Sequence, residues 1–175
     1  MTAFDLDAFV DRVKQASRSD SPARNVRKLI DEAFVDPDRL ERDLPHFDED
    51  DVILFEDDKV SIWHCRFQPD LHVPPHDHQT PAIIGLYAGT ERNSFYEVEG
   101  EKLVLKGAKE LKPGDVLAIG SEGIHSVKAV GGTPCCGIHV YLSALTVIER
   151  SLFDWESGEA MPFSDANYDK MKRVG

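Results

Sequence analysis

Apolar residues recur at helical spacing over the first third of the chain and then fall into short alternating runs, so helices are expected first and strands after them. Phe4, Leu6, Phe9, Val10 and Val13 mark a first helix. Ser21-Pro22 is a cap-then-proline start for a second, which carries Val26, Leu29, Ile30, Ala33 and Phe34 on one side. A third short helix is predicted over Pro37–Leu44, stopped by Pro45, and His46 with the acidic Asp48–Asp51 stretch reads as a solvated connector. From Val52 onward eight strands are expected: Val52–Phe55, Val60–Phe67, Ala82–Tyr87, Ser94–Val98, Lys102–Leu105, Val116–Ile119, Ser126–Val130 and Gly137–Leu142. Glu99-Gly100-Glu101, Lys112-Pro113-Gly114-Asp115 and Gly131-Gly132-Thr133-Pro134 supply turns between them. The pattern predicts a mainly β sandwich or barrel with an N-terminal helical cover. In a single domain, residues 1–50 would be the cover, 52–142 the barrel and 143–175 an extension whose Phe153, Trp155 and Phe163 pack on the outside.

Composition narrows the partners. A chain of 175 residues with a net charge of −12 is repelled by nucleic acid and by anionic membrane, and any acidic substrate would need a local basic group. No apolar run approaches the roughly 18 residues of a membrane span. The amphipathic, acidic stretch Met1–Asp20 has no uninterrupted apolar core and does not read as a signal peptide. Three cysteines, Cys65, Cys135 and Cys136, are an odd number and read as reduced thiols of a cytoplasmic protein. Neighbouring strand residues face opposite ways, so Cys135 and Cys136 are not expected to bind one ion together.

The histidines carry the chemistry. Residues two apart on a strand share a face, so His76-Asp77-His78 would aim two imidazoles at one point and send Asp77 elsewhere. His125, at the start of a later strand, is the candidate third ligand. Three neutral imidazoles leave open positions on a six-coordinate ion. The plainer alternative is a pair of surface histidines beside a Pro-Pro turn. His46, His64 and His72 read as connector, strand-surface or loop residues.

Spacing adds to this picture. His76-Asp77-His78 followed eleven residues later by Gly89, and Gly114-Asp115 followed by His125 eleven residues beyond Gly114, resemble the two motifs of the cupin superfamily. The resemblance implies a cupin barrel (a double-stranded β-helix, or jelly roll). The glutamate that usually follows the second histidine is replaced by Ala82 or Ile83. That loss, with Pro75-His76-Asp77-His78, Gly123-Ile124-His125-Ser126-Val127 and His139-Val140-Tyr141, is similar to the thiol dioxygenases of the cysteine dioxygenase type. The likeness covers roughly residues 20–165.

This resemblance implies a mononuclear Fe(II) site on His76, His78 and His125, at which a small thiol such as cysteine or 3-mercaptopropionate and O2 become a sulfinate. Tyr141 would be the acid or hydrogen-bond donor and His139 would orient it. The chain is expected to be a monomer or homodimer. Imidazole sites take copper, nickel and zinc at least as readily as iron, so the metal follows from the likeness and not from the ligands. A serine two residues before the relay histidine is Gly137 here, and a crosslinking cysteine is absent from Pro81-Ala82-Ile83. The arginine that would bind a substrate carboxylate has no counterpart near Phe55-Glu56-Asp57-Asp58-Lys59, which leaves Arg66 and Arg92 as candidates. Two other readings stay open: a three-histidine oxygenase acting on a non-thiol such as a diketone, and a metal-dependent binding protein without turnover.

Overall fold

A computed structural model describes residues 3–175, so the first two residues of the expected cover lie outside the described residues. Helix α1 spans Leu6–Ser17, α2 Pro22–Ala33 and α3 Pro37–Asp43. Each begins where its sequence supplies a start. The Asp5 side chain accepts from the Ala8 amide, Pro22 opens α2, and Asp36 accepts from the Arg39 amide. The strands are β1 (Asp51–Glu56), β2 (Ser61–Phe67), β3 (Leu71–His76), β4 (Ala82–Ala88), β5 (Glu91–Val98), β6 (Leu103–Leu111), β7 (Val116–Ile119), β8 (Ile124–Ala129) and β9 (Cys135–Tyr141). A tail of β10 (Ser151–Phe153), β11 (Ala160–Pro162), α4 (Asp165–Met171) and β12 (Arg173–Val174) follows. No helix among the described residues is long and apolar enough to cross a membrane.

The strand pairing defines the architecture. β2 pairs with β9, β3 with β8, β4 with β7 and β5 with β6, all antiparallel and nested one inside the next. Successive pairs alternate between two sheets, ordered β1-β2-β9-β4-β7 and β11-β10-β3-β8-β5-β6. A ribbon wound in this way is a double-stranded β-helix, the cupin barrel expected from the motif spacing. The motif glycines fall at its corners. Gly89 has φ 73°, and a Cβ there would lie 2.4 Å from the Pro134 carbonyl, while Gly114 has φ 95°.

Alternation along β9 and β4 explains why the helices are needed. Ile138, Val140 and Ile83 point outward and His139, Tyr141 and Ile84 inward, so both faces of the first sheet must be covered. The outward set packs beneath Val26, Leu29, Ile30 and Phe34 of the helical cover. The Phe34 ring occupies the notch left by Gly85, where a Cβ would come within 2.7 Å of it.

Three expectations are corrected. Leu71–His76 is a strand and not a Pro-Pro turn, because Pro74 and Pro75 sit at a register shift between Val73 and His76 where ladder N–H groups are dispensable. Strand β6 runs to Leu111 and not to Leu105: it is an exposed edge, so the apolar alternation that marks half-buried strands is missing. Phe163 lies against His76 at 5.8 Å between centroids and helps line the barrel cavity, so the tail closes over the barrel mouth.

Phe34→Ala is expected to destabilise the protein by about 3–5 kcal/mol, because the fully buried ring leaves a cavity between cover and sheet. Urea unfolding, with metal stoichiometry unchanged in the surviving native state, checks this.

Candidate metal centre

Strand pairing brings the three histidines together. His76 and His125 are direct cross-strand partners on β3 and β8, and His78 follows His76 by one intervening residue. One ring nitrogen from each of the three lies within 4.8 Å of the others, and ring centroids are 4.5–5.0 Å apart. All three are buried. Burial disfavours the imidazolium and pulls His76 down to about 4, while His78 and His125 are driven well below the ordinary value by burial and by the neighbouring imidazoles. The rings are therefore neutral at pH 7 and have lone pairs to give.

Two tautomers are set by carbonyl partners. His76 Nδ1–H donates to the Pro74 carbonyl at 2.8 Å, and His125 Nδ1–H donates to Asn93 Oδ1 at 2.8 Å. Each carbonyl can only accept, so each Nε2 carries a free lone pair. The His125 Nε2 is buried and has no partner among the described residues. An unpartnered lone pair on His125, beside ring nitrogens of His76 and His78, fits a cation. The three histidines could hold one metal ion, each offering one ring nitrogen. Ala82 and Ile83 are buried and apolar, so no carboxylate ligand is supplied where cupins usually carry one.

Asp77 does point elsewhere, and its direction matters. Its carboxylate accepts from the Ser151 amide at 2.9 Å and from Gln79 at 2.7 Å, while its own amide donates to the Ser151 carbonyl at 3.1 Å. The residue between two ligands thus clamps the start of β10 against the site. Arg150, immediately before Ser151, is thereby brought to the cavity.

The cavity has a volume of about 300 Å³ and is lined by the three histidines, His139, Tyr141 and Arg150, with Asp51, Cys65 and Phe163 at its wall. Tyr141 lies 5.0 Å from His78 between ring centroids, and its hydroxyl is 3.2 Å from His139 Nδ1. Burial drives the phenol well above its usual range, so it keeps its proton, and holds His139 down to about 3, so the imidazole is neutral. The Arg150 guanidinium lies 3.7 Å over the Phe163 ring, and no carboxylate stands within ion-pair distance of it among the described residues.

The two arginines singled out in the sequence lie elsewhere. Arg66 shares the outer face of β2 with His64, where its guanidinium donates to Asp50 at 2.6 Å and to the Phe47 and Asp48 carbonyls. Trp63, Cys65 and Phe67 take the inner face. Arg92 is half exposed and 3.5 Å from Glu110. His64 is not on the surface: it is 2% exposed, stacked on Phe47 and 2.7 Å from the Tyr87 hydroxyl. His72 is half-buried against the edge of Trp155. Cys135 faces the barrel interior and Cys136 the helical cover, on opposite sides of β9.

Reading the sequence missed Arg150, Glu91 and Asn93. The latter two are fully buried at alternate positions of β5. A Glu-x-Asn pair at inward strand positions was the available signal, since uncompensated burial of either residue is costly. Arg150 sits in an irregular segment and carried no such signal.

No protein-family model matches the chain, and no curated protein sequence matches it. Solved structures do. The DMSP lyase DddQ of Ruegeria pomeroyi DSS-3 is 19% identical with a TM-score of 0.44, over 55% of this chain and 44% of that one. Oxalate decarboxylase of Bacillus subtilis is 16% identical at 0.43, over 54% and 24%. An uncharacterised Klebsiella pneumoniae protein with a double-stranded β-helix domain is 14% identical at 0.47, over 65% and 87%. The fold assignment rests on the nested strand pairing.

Replacing His76, His78 or His125 by alanine is expected to abolish stoichiometric metal binding, and Asn93→Ala to weaken it by about 10- to 100-fold through loss of the His125 support. Metal analysis after dialysis and competition with a chromophoric chelator check both.

Proposed function

We propose that this protein is an Fe(II)-dependent thiol dioxygenase that converts a small carboxylate-bearing thiol to its sulfinate with O2. The observation that carries the reading is one cavity holding a three-histidine site, a protonated tyrosine and an arginine that makes no ion pair among the described residues. The metal, when bound by His76, His78 and His125, lowers the thiol pKa and brings sulfur and oxygen together.

The chain's own residues then have distinct work. Arg150 binds the substrate carboxylate and orients the thiol end toward the histidines, with Phe163 fixing the guanidinium plane. Tyr141 offers a hydrogen bond or a proton to oxygen in the cavity, and His139 fixes its hydroxyl. Phe163 packs against His76 and narrows the cavity there. A thiol between Arg150 and the three imidazoles has its two ends recognised by different groups, which selects for short molecules. Cysteine and 3-mercaptopropionate both satisfy that length and chemistry.

The test is oxygen uptake. Protein purified anaerobically and reloaded with Fe(II) is expected to consume one O2 per thiol and yield a product heavier by two oxygen atoms. No uptake with any small thiol, at one iron per chain, removes the proposal. Uptake with a diketone in the absence of thiol would replace it with a carbon–carbon cleaving oxygenase. Arg150→Ala is expected to raise KM by about 10- to 100-fold for carboxylate-bearing thiols, the loss of a charge-assisted pair, and to leave cysteamine little changed. Tyr141→Phe should retain iron and lower turnover by about 100-fold.

A further inference from the structure

Glu91 is the least expected group inside the barrel. It is fully buried on β5, and its two oxygens have different surroundings. Oε1 accepts from Asn93 Nδ2 at 2.7 Å, and Asn93 in turn holds His125. Oε2 has no hydrogen-bond partner among the described residues, and neither has His139 Nε2. These two orphans face each other at 3.9 Å. A closure of about 1 Å would join them in a hydrogen bond, and leaving both buried and unpaired is costly. The position two residues before His139 offers no alternative partner. A Cβ on Gly137 would lie 2.6 Å from the Gly85 carbonyl, so no serine fits there.

We propose that Glu91 completes a Tyr141–His139–Glu91 proton relay, setting the tautomer of His139 and through it the direction of the Tyr141 O–H. What the relay's proton is used for rests on the dioxygenase reading; the relay itself does not. Glu91 acts through His139 and is a positioning residue.

The relay has two states. With Glu91 protonated, Oε2–H donates to His139 Nε2, His139 Nδ1–H donates to the Tyr141 oxygen, and the Tyr141 proton points into the cavity. When Tyr141 releases that proton to an acceptor in the cavity, Nδ1 passes its proton to the phenolic oxygen and Glu91 passes its own to Nε2. Three protons each move one place, and the negative charge ends on Glu91. In that second state Tyr141 O–H donates to Nδ1 and Nε2–H donates to the carboxylate.

The surroundings suit a group that exchanges its proton near neutrality. Leu111 on β6 and Ala129 on β8 pair with Glu91 and are apolar. Asn93 on its own strand, His139, Tyr141 and Cys135 on β9, and Cys65 on β2 bear on it, and all are neutral at pH 7. Burial without a cation raises the Glu91 carboxyl to about 7, with the Asn93 bond opposing the rise.

The test reads the tautomer directly. Full-length protein loaded with diamagnetic zinc and labelled with 15N at histidine is titrated by long-range 1H–15N spectra, His139 being assigned by its loss in His139→Gln. In the wild type the His139 proton is expected on Nδ1 while Glu91 is protonated and to move to Nε2 as rising pH ionises Glu91. In Glu91→Gln the side-chain carbonyl stays on Asn93 and the amide donates to Nε2, so the proton remains on Nδ1 at every pH. A His139 tautomer identical in wild type and variant throughout overturns the relay. Should the variant not fold, a pH-independent tautomer in the wild type overturns it equally. Failure of oxygen uptake would remove the dioxygenase reading and leave this outcome untouched.

Discussion

Three imidazoles can share one small volume only while all of them are uncharged, and the barrel keeps them so by burying them. A protonated ring among these neighbours would face both desolvation and repulsion, which is why the three ligands are held far below the ordinary histidine range. The rest of the molecule serves that condition. The winding of the ribbon makes His76 and His125 cross-strand partners. The helical cover dries the outer face of the first sheet, and the tail brings Phe163 over the mouth. Pro74 and Asn93 then decide which nitrogen of His76 and of His125 is free.

Much of this was legible because it depends on local periods. The switch from helical to alternating spacing located the cover and the barrel. The two-residue spacing of His76 and His78, with His125 at a strand start, marked the ligands. What escaped depends on facts a period does not carry. Both faces of the first sheet are buried, so sharing parity with Ile62 did not say whether Arg66 faces the barrel or the outside; it faces outward, onto the connector at Phe47, Asp48 and Asp50. Strand β3 was hidden by two prolines at a register shift. Arg150 is delivered to the cavity by a long-range clamp between Asp77 and Ser151, 74 residues apart.

Asp77 shows how one short motif does two jobs. Its neighbours on either side turn toward the metal site, and it turns away to hold the backbone beside Arg150. The spacing between the histidine cluster and the guanidinium is thus set partly by a residue inside the His-x-His motif.

The barrel interior does hold a carboxyl, Glu91, set back from the three histidines. Glu91 reaches the ligand His125 only through Asn93, and the protonated tyrosine only through His139. Three neutral ligands therefore bring no charge to offset a divalent cation, and Arg150 adds a further positive charge at the wall. Asp51 and Asp165 also line the wall, although burial raises the Asp51 carboxyl above its ordinary value. Under the proposed function the substrate brings further negative charge, as a thiolate at one end and a carboxylate at the other. A carboxylate ligand in place of Ala82, the inward-facing position of the two, would supply part of that charge in advance, weakening the demand for an anionic sulfur. Under that reading the missing glutamate and Arg150 act together, and Glu91 is placed where it holds Asn93, and through it His125, without touching the three histidines.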